Sequence, residues 1–149
     1  MIPLCEYVCD TCGELIVSPD EGYLEWVGGV GIKDHSFKII HHKHECQRKE
    51  KDLPNGFIKD GSLSRYLGVE NLQNLYTLLH PGPLYGKGKG ILVEDINEYM
   101  EILRRLTIPY YEEARIYWPL AEEDGFFCDV NEVYPCLVST LKLIIEKYK

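Results

Sequence analysis

No run of apolar residues in this 149-residue chain approaches the roughly 20 needed to cross a bilayer as a helix. Basic side chains are also scarce. Sixteen Lys and Arg face 24 Asp and Glu, for a net charge of −8, which argues against the sequence-independent grip on nucleic acid that clustered cations provide. The deficit is not a local tail: residues 1–60 carry 7 basic and 11 acidic side chains, and the remainder 9 and 13. Internal repeats and low-complexity tracts are missing, as is a basic segment followed by an apolar core at the start. Met1-Ile2-Pro3-Leu4 runs directly into Cys5, so a secretory route is not expected and a cytoplasmic location is. What remains, 45% hydrophobic and 27% charged residues, is the balance of an ordinary soluble globule.

Against that background the cysteines stand out. Cys9-Asp10-Thr11-Cys12-Gly13 opens a segment that closes with His41-His42-Lys43-His44-Glu45-Cys46. Two thiols separated by two residues can be presented by one tight turn to a single ion, and Gly13 suits the positive φ that such a turn requires. Thiolate and imidazole are the donors that tetrahedral zinc prefers. The segment resembles a zinc knuckle of the ribbon and treble-clef families. That resemblance covers the N-terminal third only, and it implies a structural zinc and no activity. The closing half lacks a second Cys-x-x-Cys. His42 leaves three residues before Cys46 and His41 leaves four, both within the usual range, whereas His44 leaves one. The expected ligands are Cys9, Cys12, His42 and Cys46, with His41 next in line for the fourth place. His41 continues the strand face of Phe37 and Ile39, which reads as a core position. Cys5 is a spare donor, and Cys128 and Cys136 lie in apolar company as buried small hydrophobes.

Period-two patterning predicts short strands at residues 14–17, 22–27 and 37–41, with Gly28 to Gly31 a loose connection. A charged, turn-rich stretch around Pro54-Asn55-Gly56 separates this zinc-bearing β module, residues 1–56, from a helical region, residues 57–149, as two units or one fused domain. Beyond a short strand at Phe57-Ile58, helical spacing follows over Ser62–Leu67, Glu70–Leu79, Val93–Leu106, Ile108–Ala121 and from Pro135 to the end. Pro119 predicts a kink. The expected fold class is α+β, a small zinc-bearing β module packed on about four helices.

Other features weigh less. Gly86-Lys87-Gly88-Lys89-Gly90 could cradle an anion, but it is neither a Walker A loop nor a dinucleotide fingerprint, and a flexible connection is the default. Ser64 to Leu79 has the outline of a helix-turn-helix, yet its second helix offers Asn71, Gln73 and Asn74 and no Lys or Arg. Glu112 and Glu113 read as a solvated first turn that favours the helix dipole. Eleven tyrosines, with Tyr111, Arg115 and Trp118 on one helix side, suggest a surface for a protein partner or a second copy. The function expected is non-enzymatic protein interaction or regulation on a zinc-stabilised scaffold. A nucleic-acid-binding regulator and a zinc-dependent hydrolase are the alternatives.

Overall fold

A computed structural model describes residues 1–149 and shows a mixed α+β fold. Strands β1 (Tyr7–Val8) and β2 (Leu15–Ile16) form a small antiparallel ribbon. Strands β3 (Gly22–Gly29), β4 (Ile32–His41) and β5 (Phe57–Ser62) form a second antiparallel sheet in the order β4-β3-β5. Gly28 and Gly29 belong to β3, so the expected loose connection is a tight hairpin turning at Val30-Gly31. Position 56 falls just before β5, which pairs with β3 along its length, so the sheet draws on both sides of the expected boundary.

Strand β4 carries two register shifts against β3, one between Ile32 and His35 and one just after it. Between the pairs Val27–His35 and Glu25–Lys38 it has one residue more than its partner, and Ser36 there takes a left-handed φ of 57°. The inward positions consequently shift from Asp34 to Phe37, Ile39 and His41. Phe37 stacks on Trp26 and meets the edge of Tyr99, while the Ser36 amide donates to Glu98.

The helices are α1 (Leu72–Leu79), α2 (Gly82–Tyr85), α3 (Ile96–Thr107), α4 (Tyr111–Ala114), α5 (Trp118–Glu123) and α6 (Val138–Tyr148). No helix is long and apolar enough to cross a membrane. The start expected at Val93 falls instead at Asp95, whose carboxylate caps the amides of Asn97 and Glu98. Val93 itself bridges to Asp34 of β4. The segment expected as one helix over 108–121 is broken. Tyr110 takes a left-handed φ of 69°, and a 3-10 turn at Arg115–Tyr117 precedes Pro119, where the ring excludes the helical hydrogen bond. Pro135 lies in a separate 3-10 turn ahead of α6.

Two apolar clusters result. The larger runs from Tyr7 and Cys9 through Leu24 and Ile39 to Tyr99 and Leu106; the smaller comprises Tyr111, Ala114, Leu141 and Ile144. Between them lies a buried ionic network. Arg105 of α3 grips the Glu112 carboxylate with a two-pronged fork (2.7 and 3.0 Å), and Arg115 adds a second fork (2.9 and 2.8 Å). The Val8 amide donates to the same carboxylate at 3.0 Å. The other arm of Arg105, Nη1, reaches Asp10 at 2.8 Å, and the Nη2 that meets Glu112 also donates to the Val8 carbonyl at 3.3 Å. Glu112, read from the sequence as solvated, is 5% exposed, and Glu113 is buried as well.

This arrangement narrows the expected partner surface too. Tyr111 is buried within the chain and donates to Glu101. Arg115 is occupied by Glu112, and Trp118 packs edge-on against Tyr111. Of the side expected to face a partner, Tyr111 is turned inward, while Arg115 and Trp118 stay half-buried.

Burial opposes the Glu112 charge, but hydrogen bonds and attraction from Arg115 and Arg105 outweigh it and hold the carboxyl below its ordinary value. Its contribution to stability is therefore complete above the unfolded-chain pKa of about 4.3. It is lost as the pH falls through that value toward the lower folded one. Arg105→Ala leaves Glu112 half-neutralised in the interior and should cost about 3–5 kcal/mol by urea denaturation. The pair replacement Arg105→Met with Glu112→Leu should cost less than the two single changes together.

Candidate metal centre

The knuckle is a hairpin loop between β1 and β2. The Cys9 amide donates to the Glu14 carbonyl and the Gly13 amide to the Cys9 carbonyl, both at 2.9 Å. Gly13 takes the expected positive φ, 75°, and a side chain there would meet open space, so conformation alone asks for glycine. The loop is laid against β4: the Asp10 amide donates to the Ile39 carbonyl at 2.8 Å, and the Ile39 amide donates back to the Asp10 carboxylate at 2.7 Å. A turn after β4 returns Cys46 to the knuckle, where the Thr11 hydroxyl donates to the Cys46 carbonyl.

These contacts bring Cys9, Cys12, His41 and Cys46 together, with all four donor atoms within 4.8 Å of one another. The fourth donor is His41 and not the expected His42. Strand parity explains the difference. His41 shares the inward face of Phe37 and Ile39 and is 3% exposed. His42 lies on the side of Ile40 and that residue's cross-strand partner Tyr23, and its exposed ring stacks on Tyr23 with centroids 4.1 Å apart. The very alternation that marked His41 as a core residue is what delivers it to the thiols. His44 and Cys5 lie outside the cluster. Cys128, expected to be buried, is exposed, and Cys136 is half-buried.

The donor set fits a tetrahedral thiophilic ion. Ligand bonds of about 2.0–2.3 Å place tetrahedral donors roughly 3.4–3.8 Å apart, so the cluster needs only a small contraction. His41 is oriented for the task. Its Nε2 lies 3.3 Å from the Leu15 carbonyl, which can only accept, so Nε2 carries the proton. Nδ1 then presents its lone pair to the Cys12 and Cys46 sulfurs, 3.5 and 4.0 Å away, the outer-shell arrangement typical of metal-binding histidines.

The thiols are unequal. Burial works against a Cys9 thiolate, but the backbone amides of Cys12, Thr11 and His41 outweigh it and bring the thiol down to about 6. For Cys46, burial and then the neighbouring Cys12 and Cys9 sulfurs push the thiol up to about 12. Three sulfurs this close repel as anions, and a divalent cation among them reverses the sign of that interaction.

Family models, curated proteins and solved structures were all compared with the chain, and none matches. The site is therefore read from its own chemistry.

Sequence spacing located the three cysteines, while the choice between adjacent histidines depended on strand phase. His41→Ala should weaken binding of a thiophilic divalent ion by more than about 100-fold, and His42→Ala should leave it nearly unchanged. Competition against a chromophoric chelator measures both; equal losses would contradict the assignment.

Proposed function

We propose that the bound ion is zinc, that it is structural, and that the chain is a non-enzymatic interaction protein whose partner is another protein or a second copy of itself. The complete Cys9–Cys12–His41–Cys46 set carries this reading. Three thiols and one imidazole are a typical structural zinc shell. A zinc hydrolase needs a coordination position left open to water, and four protein donors fill the tetrahedron.

The interior supports the absence of acid–base chemistry. Its buried carboxylates are neutralised in place: Glu25 by Arg48, Asp34 by Lys59, Glu112 by two arginines and Glu113 by Lys149. A carboxylate fixed in an ion pair is a poor proton carrier near neutral pH. The side chains that might have read bases are otherwise engaged. Asn71 donates to the Ser64 and Leu67 carbonyls, and Asn74 to that of Arg65, so both serve to fasten α1. All six cysteines are free thiols, as a reducing cytoplasm would keep them. Ile116 and Leu120, each about half exposed, leave apolar surface of the kind a partner protein covers.

Chelation provides the test. Removing zinc should lower the melting temperature and loosen amide protection over about the first 50 residues, because ion binding and folding of this segment are linked. Cobalt substitution should give the intense visible bands of a four-coordinate thiolate site. An unchanged melting curve after chelation, or a five-coordinate cobalt spectrum with an exchangeable water, would overturn the structural assignment.

A further inference from the structure

At the far end of the β3–β4 hairpin from the metal donors lies an open cleft of about 510 Å³. Its walls bring together residues distant in sequence: Lys33 and Asp34 of β4, Lys59 of β5, and Lys89, Gly90 and Ile91 of the glycine–lysine loop. From these observations we propose that the cleft is a binding site for a phosphate-bearing small molecule.

The loop is not the flexible connection that its composition suggests. The His80 ring clips its start, with Nδ1 accepting from the Gly82 amide and Nε2 within 3.2 Å of the Lys89 carbonyl. Its end is sewn to the sheet: the Asp34 amide donates to the Leu92 carbonyl at 2.8 Å, and the Glu94 amide donates to the Asp34 carbonyl at 2.9 Å. The Leu92 amide in turn donates to the Leu79 carbonyl at the end of α1. Lys89 is thus held beside Lys33 and Lys59 by a fixed backbone.

The charge is arranged for an anion. Three lysines line the cleft against one aspartate, whose carboxylate is already engaged, since Lys59 Nζ donates to Asp34 at 2.7 Å. Lys33 and Lys89 are exposed and form no ion pair. In a protein of net charge −8 this is a local reversal of sign. The amides of Gly90 and Ile91, which line the same wall, donate to no protein acceptor. Free backbone amides beside lysines are the pairing that phosphate oxygens favour. Ile91 and Leu92 add apolar wall, and the volume falls in the range of small-molecule sites, not of a single inorganic ion.

Lys33 and Lys89 are exposed, so replacing them should leave folding untouched. The probes are inorganic phosphate, AMP, and adenosine as the uncharged control, followed by amide chemical shifts of the zinc-loaded protein. AMP should give saturable shifts at Lys33 and at residues 89–92, weakening as salt rises. Adenosine should give none. The double change Lys33→Gln with Lys89→Gln should weaken AMP by roughly tenfold or more, with the melting temperature and metal content unchanged. Lys142→Gln, at a lysine over the Tyr110 ring, should have no effect. The proposal is overturned if AMP and phosphate give no saturable shift, if adenosine matches AMP, or if the double variant binds as the parent does. None of these results bears on the metal reading, which chelation tests separately.

Discussion

The Arg105–Glu112 pair is the constraint on which the rest depends. Removing a guanidinium and a carboxylate from water costs several kcal/mol per ion, and only near-complete hydrogen bonding repays it. Glu112 accepts from both forks of Arg105 and Arg115 and from the Val8 amide. Arg105 is shared among Glu112, Asp10 and the Val8 carbonyl. These partners come from the knuckle, from α3 and from α4, so the network is satisfied in one relative placement of the three and in no neighbouring one. Apolar contacts tolerate sliding; a buried fork does not. The two hydrophobic clusters meet along this seam, with Leu106 on one side of Arg105 and Tyr111 beside Glu112 on the other.

Asp10 connects that network to the metal donors. It follows Cys9 directly, takes the Ile39 amide into its carboxylate, and receives Arg105 on the same oxygen. The knuckle is therefore positioned from outside by a strand and a helix, although its own strands are two residues long. An ion held by Cys9, Cys12, His41 and Cys46 closes the loop from 9 to 46 over the same contacts. Such an ion and the ionic seam would brace one segment from opposite sides. Each lowers the entropy that the other has to overcome.

Local chemistry was legible in the sequence and tertiary chemistry was not. Gly13, the Cys-x-x-Cys turn, the hairpin strands and the stop at His80-Pro81 follow from backbone preferences that act within a few residues. Arg105 carries no such mark. A helical wheel over α3 assigns the interior to Ile96, Tyr99, Met100, Leu103 and Leu106, whereas Tyr99, Ile102, Arg105 and Leu106 are the buried set. The face is rotated because an arginine with two carboxylates waiting for it can be buried, and those carboxylates lie 95 and 7 residues away. Glu112 misleads in the same way: position in a first helical turn predicts solvent, and only a partner from elsewhere overrides it.

The choice of His41 over His42 is settled further away, at the bulge. Along a regular strand every second residue faces inward, so the phase fixed at Asp34 would carry through to even positions and direct His42 at the thiols. The extra residue near Ser36 moves the phase by one, and from there Phe37, Ile39 and His41 face inward. Ser36 pays for its left-handed φ with an amide bond to Glu98 of α3, so a helix contact helps to hold the strand's phase. At the other end Asp34, within the second register shift, faces Lys59 and anchors the cleft. The extra residue near Ser36 thus lies between two sites that share a hairpin, Asp34 and His41, roughly 23 Å apart by strand rise. A hydrophobic pattern read without the bulge can place one of them correctly, never both.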